Sequence, residues 1–155
     1  MAAKRAKRPA AKKPAAPRLV RERSASSRRI IERLRRICLA LPEATEQEAW
    51  GEPTWRVKGK MFAQLDDHHH GSPHCSLWLP QSIEAQEALI AGDPERFFRP
   101  PYVGHKGWVA VVLDTGPDWA IVAELVRDAY RRIAPAKLAA QLDSSRGSAI
   151  RPRRP

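Results

Sequence analysis

Cysteine is scarce in this chain, which has two cysteines among 155 residues. Cys38 and Cys75 stand in apolar surroundings and not in a metal or redox spacing such as C-x-x-C, and nothing in the sequence supports a disulfide between them. We therefore expect two buried free thiols in a reducing cytoplasm.

Long apolar runs and catalytic motifs are also missing. No run of 18 apolar residues occurs, so we expect no transmembrane helix and no membrane partner, and the N-terminus lacks the apolar centre of a secretory signal. The chain has no P-loop, no G-x-S-x-G, no H-E-x-x-H and no dinucleotide-binding fingerprint. We therefore expect a cytoplasmic or nucleoid-associated protein that is not an enzyme and binds no cofactor.

Positive charge is abundant, but it is concentrated at the two ends of the chain. The formal net charge is +11, and the first 29 residues hold 11 Lys and Arg against one acid. The last 13 residues hold four Arg and one acid, which leaves 13 basic and 15 acidic side chains in residues 30–142. Acid-poor segments rich in Ala and Pro cannot bury enough apolar surface to fold. We predict disordered basic tails at 1–27 and 143–155 around one domain at 28–142.

Hydrophobic periodicity predicts the elements of this domain. After a cap at Ser26 or Ser27, apolar residues recur at helical spacing until Pro42, and the acidic stretch EATEQEAWGEP follows as a connector. A period of two then predicts three short strands joined in an antiparallel meander. These strands span residues 54–58, 61–66 and 75–79.

The second half of the domain is predicted to alternate helix and strand. Ser82 caps a helix that ends at Gly92, DPERFF forms a further helical turn or two, and WVAVVLD is apolar enough for a central strand. Helical spacing resumes from Asp118, and AKLAAQL adds a short helix after Pro135. The order helix, three strands, helix, strand, helix predicts an α+β fold, with helices packed on an antiparallel sheet of four or more strands.

Several segments of the chain closely resemble the MmcQ/YjbR family. The most specific are GKMFA at 59–63, PPY at 100–102 with GW at 107–108, and LD at 113–114. The resemblance covers residues 28–142, and it implies a frataxin-like (CyaY-like) α+β fold with an antiparallel sheet. The family is commonly labelled DNA-binding through its likeness to a double-wing arrangement, so the resemblance implies DNA binding by analogy of fold. It carries no catalytic residue onto this chain.

The stretch DDHHHGSPHC, residues 66–75, holds four of the five histidines. Gly71, Ser72 and Pro73 have the composition of a loop tip, and an exposed hairpin connection needs only polar residues with Gly and Pro. We therefore expect a solvated turn between the second and third predicted strands. Metal binding is the alternative, because zinc ligands recur two to five residues apart. Its candidate ligands are His68, His70 and His74, with oxygens from Asp66 and Asp67.

Two further segments offer contacts for nucleic acid. In RPPYVGHKGW, cations could meet phosphates while aromatic rings stack on bases; the alternative is a stiff loop whose aromatics pack under the helices. In the first predicted hairpin, three basic residues are expected to share one face, either as a phosphate-contacting wing or as a solvated strand face. The candidates are Arg99, Tyr102, His105, Lys106 and Trp108 in the loop, and Arg56, Lys58 and Lys60 in the hairpin.

The basic N-terminal tail carries the leading functional hypothesis. Its net charge of about +10 favours association with any polyanion, and such binding is steeply salt-dependent. No feature of the tail distinguishes base edges, so we expect non-specific association with DNA, or RNA, without sequence specificity. The candidate contacts are Lys4, Arg5, Lys7, Arg8, Lys12, Lys13 and Arg18. The alternatives are a protein-interaction module with a solubilising tail, and a metal-binding domain that uses the His-rich turn.

Overall fold

The computed structural model describes residues 22–69 and 71–149, in which helices pack against a six-stranded sheet. The helices are α1 (Ala25–Leu39), α2 (Ile83–Gly92), α3 (Trp119–Ile133) and α4 (Ala136–Ala149). The strands are β1 (Ala44–Ala49), β2 (Glu52–Val57), β3 (Lys60–Asp67), β4 (Cys75–Leu79), β5 (Phe97–Phe98) and β6 (Val109–Val112). None of the helices in the described ranges is long and apolar enough to cross a membrane.

Every strand pair is antiparallel, and the strands lie in the order β1-β2-β3-β4-β6-β5. This arrangement confirms the predicted α+β class and the antiparallel sheet. The apolar strand β6 lies between β4 and β5, inside the sheet as its sequence predicted. Within residues 28–142, two segments differ from the prediction. The stretch expected as an acidic connector contains β1, and the last two residues of DPERFF, where a helical turn or two was expected, form β5.

The sequences of the two missed strands, β1 and β5, lack the alternation of apolar and polar residues that predicts a strand. β1 forms an edge of the sheet, and its side chains are exposed or half-buried, so its polar residues remain hydrated. β5 has only two residues and depends on its ladder with β6, in which Phe97 lies opposite Val111. The chain turns just before it, because the Asp93 carbonyl accepts from the backbone N–H of Phe97 at 3.0 Å. Pairing with a distant strand therefore decides the conformation of this segment.

Tight turns join β1 to β2 and β2 to β3. In each turn two consecutive residues have positive φ: Trp50 (53°) with Gly51 (75°), and Lys58 (50°) with Gly59 (77°). Positive φ at both central residues is typical of two-residue hairpin loops whose twist matches that of the strands. Glycine in the second position adopts this conformation without steric cost.

The first helix starts slightly earlier than its sequence pattern predicted. Its N-cap is Ser24, not Ser26 or Ser27, and the Ser24 side-chain oxygen accepts from the Ser27 backbone N–H at 3.0 Å. The predicted apolar face is confirmed. The buried side chains on this face are Ile30, Ile31, Leu34 and Cys38.

One face of the sheet encloses the hydrophobic core together with α1 and α3. Residues directly opposite one another share a face, and the row Leu65, Leu77 and Val111 crosses three strands on the core side. Cys38 and Cys75 are fully buried in this core and unbonded to each other, as predicted. Burial raises the pKa of both thiols, so they are poor nucleophiles in the folded chain.

Helix α3 is fixed over the sheet by Tyr130. The pairing register of β2 and β3 shifts after Trp55. Phe62 of β3 packs in the core, and its ring centroid lies 5.4 Å from that of Tyr130 in an edge-to-face arrangement. The Tyr130 hydroxyl donates to the Pro42 carbonyl at 2.6 Å. This bond ties α3 to the segment that follows α1.

Candidate functional site

The two aspartates of the His-rich stretch belong to the sheet. β3 runs through Asp67, and the exposed fractions of Asp66 and Asp67 are 0% and 3%. The loop proper begins at His68, whose backbone N–H donates to the His74 carbonyl at 3.1 Å. The predicted hairpin connection is therefore confirmed, but the expectation of a wholly solvated turn is wrong for both carboxylates. The alternation of polar and apolar residues in the sequence does not show which distant side chains cover the end of β3. Asp66 and Asp67 were therefore expected to be solvated.

Asp67 is the centre of a hydrogen-bond cluster. Its carboxylate accepts from Arg23 Nη1 at 2.9 Å and from Ser27 Oγ at 2.9 Å, and it lies 2.8 Å from His68 Nδ1. Burial alone would raise the pKa of Asp67, but the hydrogen bonds from His68, Ser27 and Arg23 lower it below its ordinary value. Asp67 is therefore ionised whenever the domain is folded at neutral pH.

Arg23 links this carboxylate to a second one at the start of β2. Arg23 Nη1 also lies 3.0 Å from Glu52 Oε2, and Arg23 Nη2 donates to the Gly51 carbonyl at 2.9 Å. Burial opposes the charge, but the Glu52 and Asp67 carboxylates raise the pKa of Arg23 above its ordinary value. Glu52 is 1% exposed, and its Oε1 lies 3.3 Å from His69 Nδ1. The segment before α1 is thus clamped to one end of the sheet.

Asp114 brings two histidines of the loop together. His74 Nδ1 lies 3.3 Å from Asp114 Oδ1, and His68 Nε2 lies 3.6 Å from Asp114 Oδ2. Both imidazoles are partly exposed, so this end of the cluster is open to water. Across the described ranges, no group of three or more His, Cys, Asp or Glu side chains is arranged to hold a metal ion. His70, the remaining metal candidate, lies outside the described residues.

Sequence reasoning found the aspartates and histidines of this cluster but missed their partners. Arg23 comes from the segment before α1, Glu52 from β2, and Asp114 from the turn that follows β6. Arg23 was assigned to a disordered tail, and its contacts with Glu52 and Asp67 span 29 and 44 residues of sequence. No local pattern signals contacts over such separations. The contacts observed among these side chains are ion pairs and hydrogen bonds.

The basic residues of the first hairpin do not share one face. Lys60 pairs with Val57 and Arg56 pairs with Met61, so Arg56 and Lys60 point to opposite faces of the sheet. Lys58 occupies the turn, and its Nζ lies 3.0 Å from a carboxylate oxygen of the exposed Glu43. The predicted common face is therefore wrong, because the two-residue turn interrupts the alternation on which it was based.

Arg56 is also engaged within the sheet. Its Nε lies 3.3 Å from the Thr54 hydroxyl, and its Nη1 lies 3.4 Å from the Gly59 carbonyl. Because Arg56 and Lys58 already have partners, the hairpin offers fewer available cations than the sequence predicted.

The loop at residues 99–108 presents most of its candidate side chains to solvent. Arg99, His105 and Lys106 are exposed, and Tyr102 is 74% exposed with a positive φ of 65°. Trp108 is half-buried, which fits the alternative of aromatic packing for this one residue. The loop thus combines exposed cations with one projecting aromatic ring.

Helix α2 fixes the path of this loop. Gln86 of α2 is 3% exposed, and its Nε2 donates to the carbonyls of Gly104 (2.7 Å) and Trp108 (2.5 Å). Gly107 has φ 99°, and an added Cβ would overlap the Gln81 carbonyl oxygen. The exposed residues are therefore displayed from a backbone that is held at its middle and at its C-terminal end.

A cleft joins this loop to the His-rich turn. It encloses about 480 Å³ between His74 and Pro73 on one side and Phe98, Arg99 and Pro101 on the other. The tertiary structure thus brings together two segments that the sequence offered as separate candidates. The candidate contacts Lys4, Arg5, Lys7, Arg8, Lys12, Lys13 and Arg18 lie outside the described residues.

The chain belongs to the YjbR family, because the model of that family matches residues 39–132. The resemblance identified from the sequence is thereby confirmed. A crystal structure of Deinococcus radiodurans protein DR2400, with a DUF419 domain, is similar to this chain with a TM-score of 0.59 and 23% identity. The similarity covers 73% of this chain and 87% of that one, and at this identity it supports the fold alone. A comparison with curated proteins gave no significant match.

Proposed function

We propose that this protein associates non-specifically with DNA or RNA through its basic N-terminal segment, with a weaker contact from the folded domain at the loop 99–108. The observation that supports the domain contact is the exposure of Arg99, Lys106 and Tyr102 on a loop that Gln86 holds in place. The support for the tail contact is its composition, with 11 Lys and Arg and one acid in the first 29 residues.

The two contacts have different physical bases. Each cation of the tail that neutralises a phosphate releases counterions, so the tail supplies affinity that decreases steeply with salt. The loop adds charge from Arg99 and Lys106, and it adds the Tyr102 ring as a stacking surface for an unpaired base. The cleft beside Arg99 also contains the half-buried ring of Phe98, which enlarges the aromatic surface. None of these groups distinguishes one base sequence from another.

The salt dependence of binding tests the tail contact in the full-length chain. Fluorescence anisotropy with a labelled duplex measures affinity over a range of salt concentrations. The tail variant replaces seven cations by glutamine at Lys4, Arg5, Lys7, Arg8, Lys12, Lys13 and Arg18. At about 0.9 units of slope per phosphate contact, we expect the slope of log affinity against log salt to fall by up to about 6. An unchanged slope would show that the tail makes no phosphate contact.

The loop contact is tested by two variants with a matched control. Arg99→Gln with Lys106→Gln should reduce the salt slope by about 2. The control, Arg132→Gln with Lys137→Gln, removes two exposed cations outside the loop and should change the slope by less than half as much. Equal effects of the two double variants would mean that the loop contributes only overall charge.

Stacking is tested separately with Tyr102. Since a stacked base contributes about 1–3 kcal/mol, Tyr102→Ala should weaken binding of a single strand by about tenfold and of a duplex much less. An equal change for both substrates would argue against stacking. If neither the full chain nor any variant binds nucleic acid at physiological salt, the proposed function fails as a whole.

A further inference from the structure

A groove lies between α1, α3 and α4, on the outer side of the helices that cover the core. It encloses about 660 Å³, which is within the range of small-molecule sites. Its floor is apolar. The lining residues that form this floor are Ile37, Ala40, Leu41, Ala123 and Leu142.

Among the described residues that line this groove, the charged ones are all arginines. Arg33 and Arg36 come from α1, and Arg127 and Arg131 come from α3. Arg33 and Arg36 are three residues apart on α1, and Arg127 and Arg131 are four apart on α3, so the like charges of each pair repel one another.

Acids compensate only part of this charge. Arg131 is neutralised by Asp128 and Asp143, each with an oxygen at 2.8 Å from the guanidinium. Arg127 Nη1 lies 3.2 Å from a carboxylate oxygen of Glu124. The groove therefore retains positive charge on its α1 side.

The two arginines of α1 carry this remaining charge. Arg33 lies over the Trp119 ring, with its Cζ 4.7 Å from the ring centroid, and this stacking leaves the edges of the guanidinium able to donate. Arg36 is exposed. In the part of the chain that the structure describes, neither Arg33 nor Arg36 lies within ion-pair distance of an acid.

We propose that this groove binds an amphipathic anion, a carboxylate or phosphate headgroup attached to a hydrocarbon chain. Arg33 and Arg36 hold the headgroup, because the planar guanidinium matches both headgroups with two parallel hydrogen bonds. The apolar floor takes the hydrocarbon chain and removes it from water. The apolar floor distinguishes this site from a contact with nucleic acid, whose phosphate backbone offers nothing to fill it.

The experiment uses the full-length chain and three probes below their micellar concentrations. Decanoate and decyl phosphate carry the two headgroups, and decyl glucoside has the same hydrocarbon chain without charge. Isothermal titration gives the affinity and stoichiometry of each. Two variants test the two parts of the site: Arg33→Gln with Arg36→Gln for the headgroup contact, and Ala40→Phe, at an exposed position, for the apolar floor.

A matched control removes the same charge from the same two helices outside the groove. Arg29→Gln with Arg132→Gln changes two exposed arginines, one on α1 and one on α3. We expect one anion per chain, at least tenfold weaker binding for Arg33→Gln with Arg36→Gln, a similar loss for Ala40→Phe, and less than a twofold change for the control. Binding of both headgroups, or of only one, supports the site and identifies the headgroup it takes.

Three outcomes would overturn the proposal: decyl glucoside binding as tightly as decanoate, equal losses for the groove variant and the control, or no loss for Ala40→Phe. Nucleic-acid affinity measured on the Arg33→Gln with Arg36→Gln variant keeps the two functions separate, because the loop 99–108 and the first 29 residues are unchanged in it.

Discussion

Replacing Asp67 by asparagine removes one negative charge from the cluster at the end of β3 without changing the size of the side chain. Arg23, Ser27 and His68 all lie 2.8–2.9 Å from the carboxylate, and the Asp67 side chain is 4% exposed. A hydrogen bond to a charged group contributes about 1.5–3 kcal/mol, against about 0.5–1.5 kcal/mol for a neutral one. Because Arg23 keeps Glu52 as a partner, we expect Asp67→Asn to lower the free energy of unfolding by about 2–3 kcal/mol at pH 7.

The effect should depend on pH in a defined direction. The pKa of Asp67 is lowered in the folded state by its hydrogen bonds, so its contribution is fully present above the unfolded pKa of about 3.9. The contribution is lost as the pH falls through the lower, folded pKa, where the folded carboxylate also gains a proton. Asparagine does not titrate. The difference between the two proteins should therefore be constant from pH 7 to about pH 5 and should shrink below about pH 4.

Thermal and urea unfolding, followed by circular dichroism from pH 3.5 to 7, measure this difference. At about 3–4 °C per kcal/mol for a domain of this size, Tm should fall by roughly 8 °C at pH 7. Asp128→Asn is the control, because it breaks a pair with Arg131 in which the Asp128 side chain is 52% exposed, and it should cost less than about 0.5 kcal/mol. Equal losses for Asp67 and Asp128, or a difference that does not change with pH, would refute the role given to the buried carboxylate.

Two further substitutions test how α3 and the loop 99–108 are held. Tyr130→Phe should lower the free energy of unfolding by about 1 kcal/mol through loss of its bond to the Pro42 carbonyl, and a urea midpoint equal to that of the unchanged protein would show that the bond contributes nothing. Gly107→Ala should cost more than Gly59→Ala, since both positions have positive φ but only at Gly107 would the new Cβ meet backbone, at the Gln81 carbonyl. Thermal unfolding of the two variants decides this order, and a reversed order would contradict the close packing at Gly107.

The elements with strong apolar periodicity could be predicted from the sequence, and those without it could not. The buried face of α1, the meander of β2, β3 and β4, and the central strand β6 all follow from spacing. β1 and β5 do not. A polar edge strand and a two-residue strand are defined by the backbone of the neighbouring strand, which local sequence does not contain.

The sequence also predicted only part of the candidate site. The His-rich stretch and the loop 99–108 were recognised by composition, but the burial of Asp67 and its pairing with Arg23 were not. The expected common face of Arg56 and Lys60 was wrong because one tight turn changed the alternation. The groove between α1, α3 and α4 could not be predicted from the sequence. Its arginines come from two helices, and Arg36 and Arg127 are far apart in sequence.

The sequence by itself determined the fold class, the family and the segregation of positive charge to the ends of the chain, because periodicity, motifs and net charge are properties of consecutive residues. The tertiary structure alone decided which polar groups are buried and which cations are available. Asp67 looked like part of a solvated turn until Arg23, Ser27 and His68 were placed around it. The physical reason is that burial and ion pairing are relations between distant segments, and chain packing sets their distances.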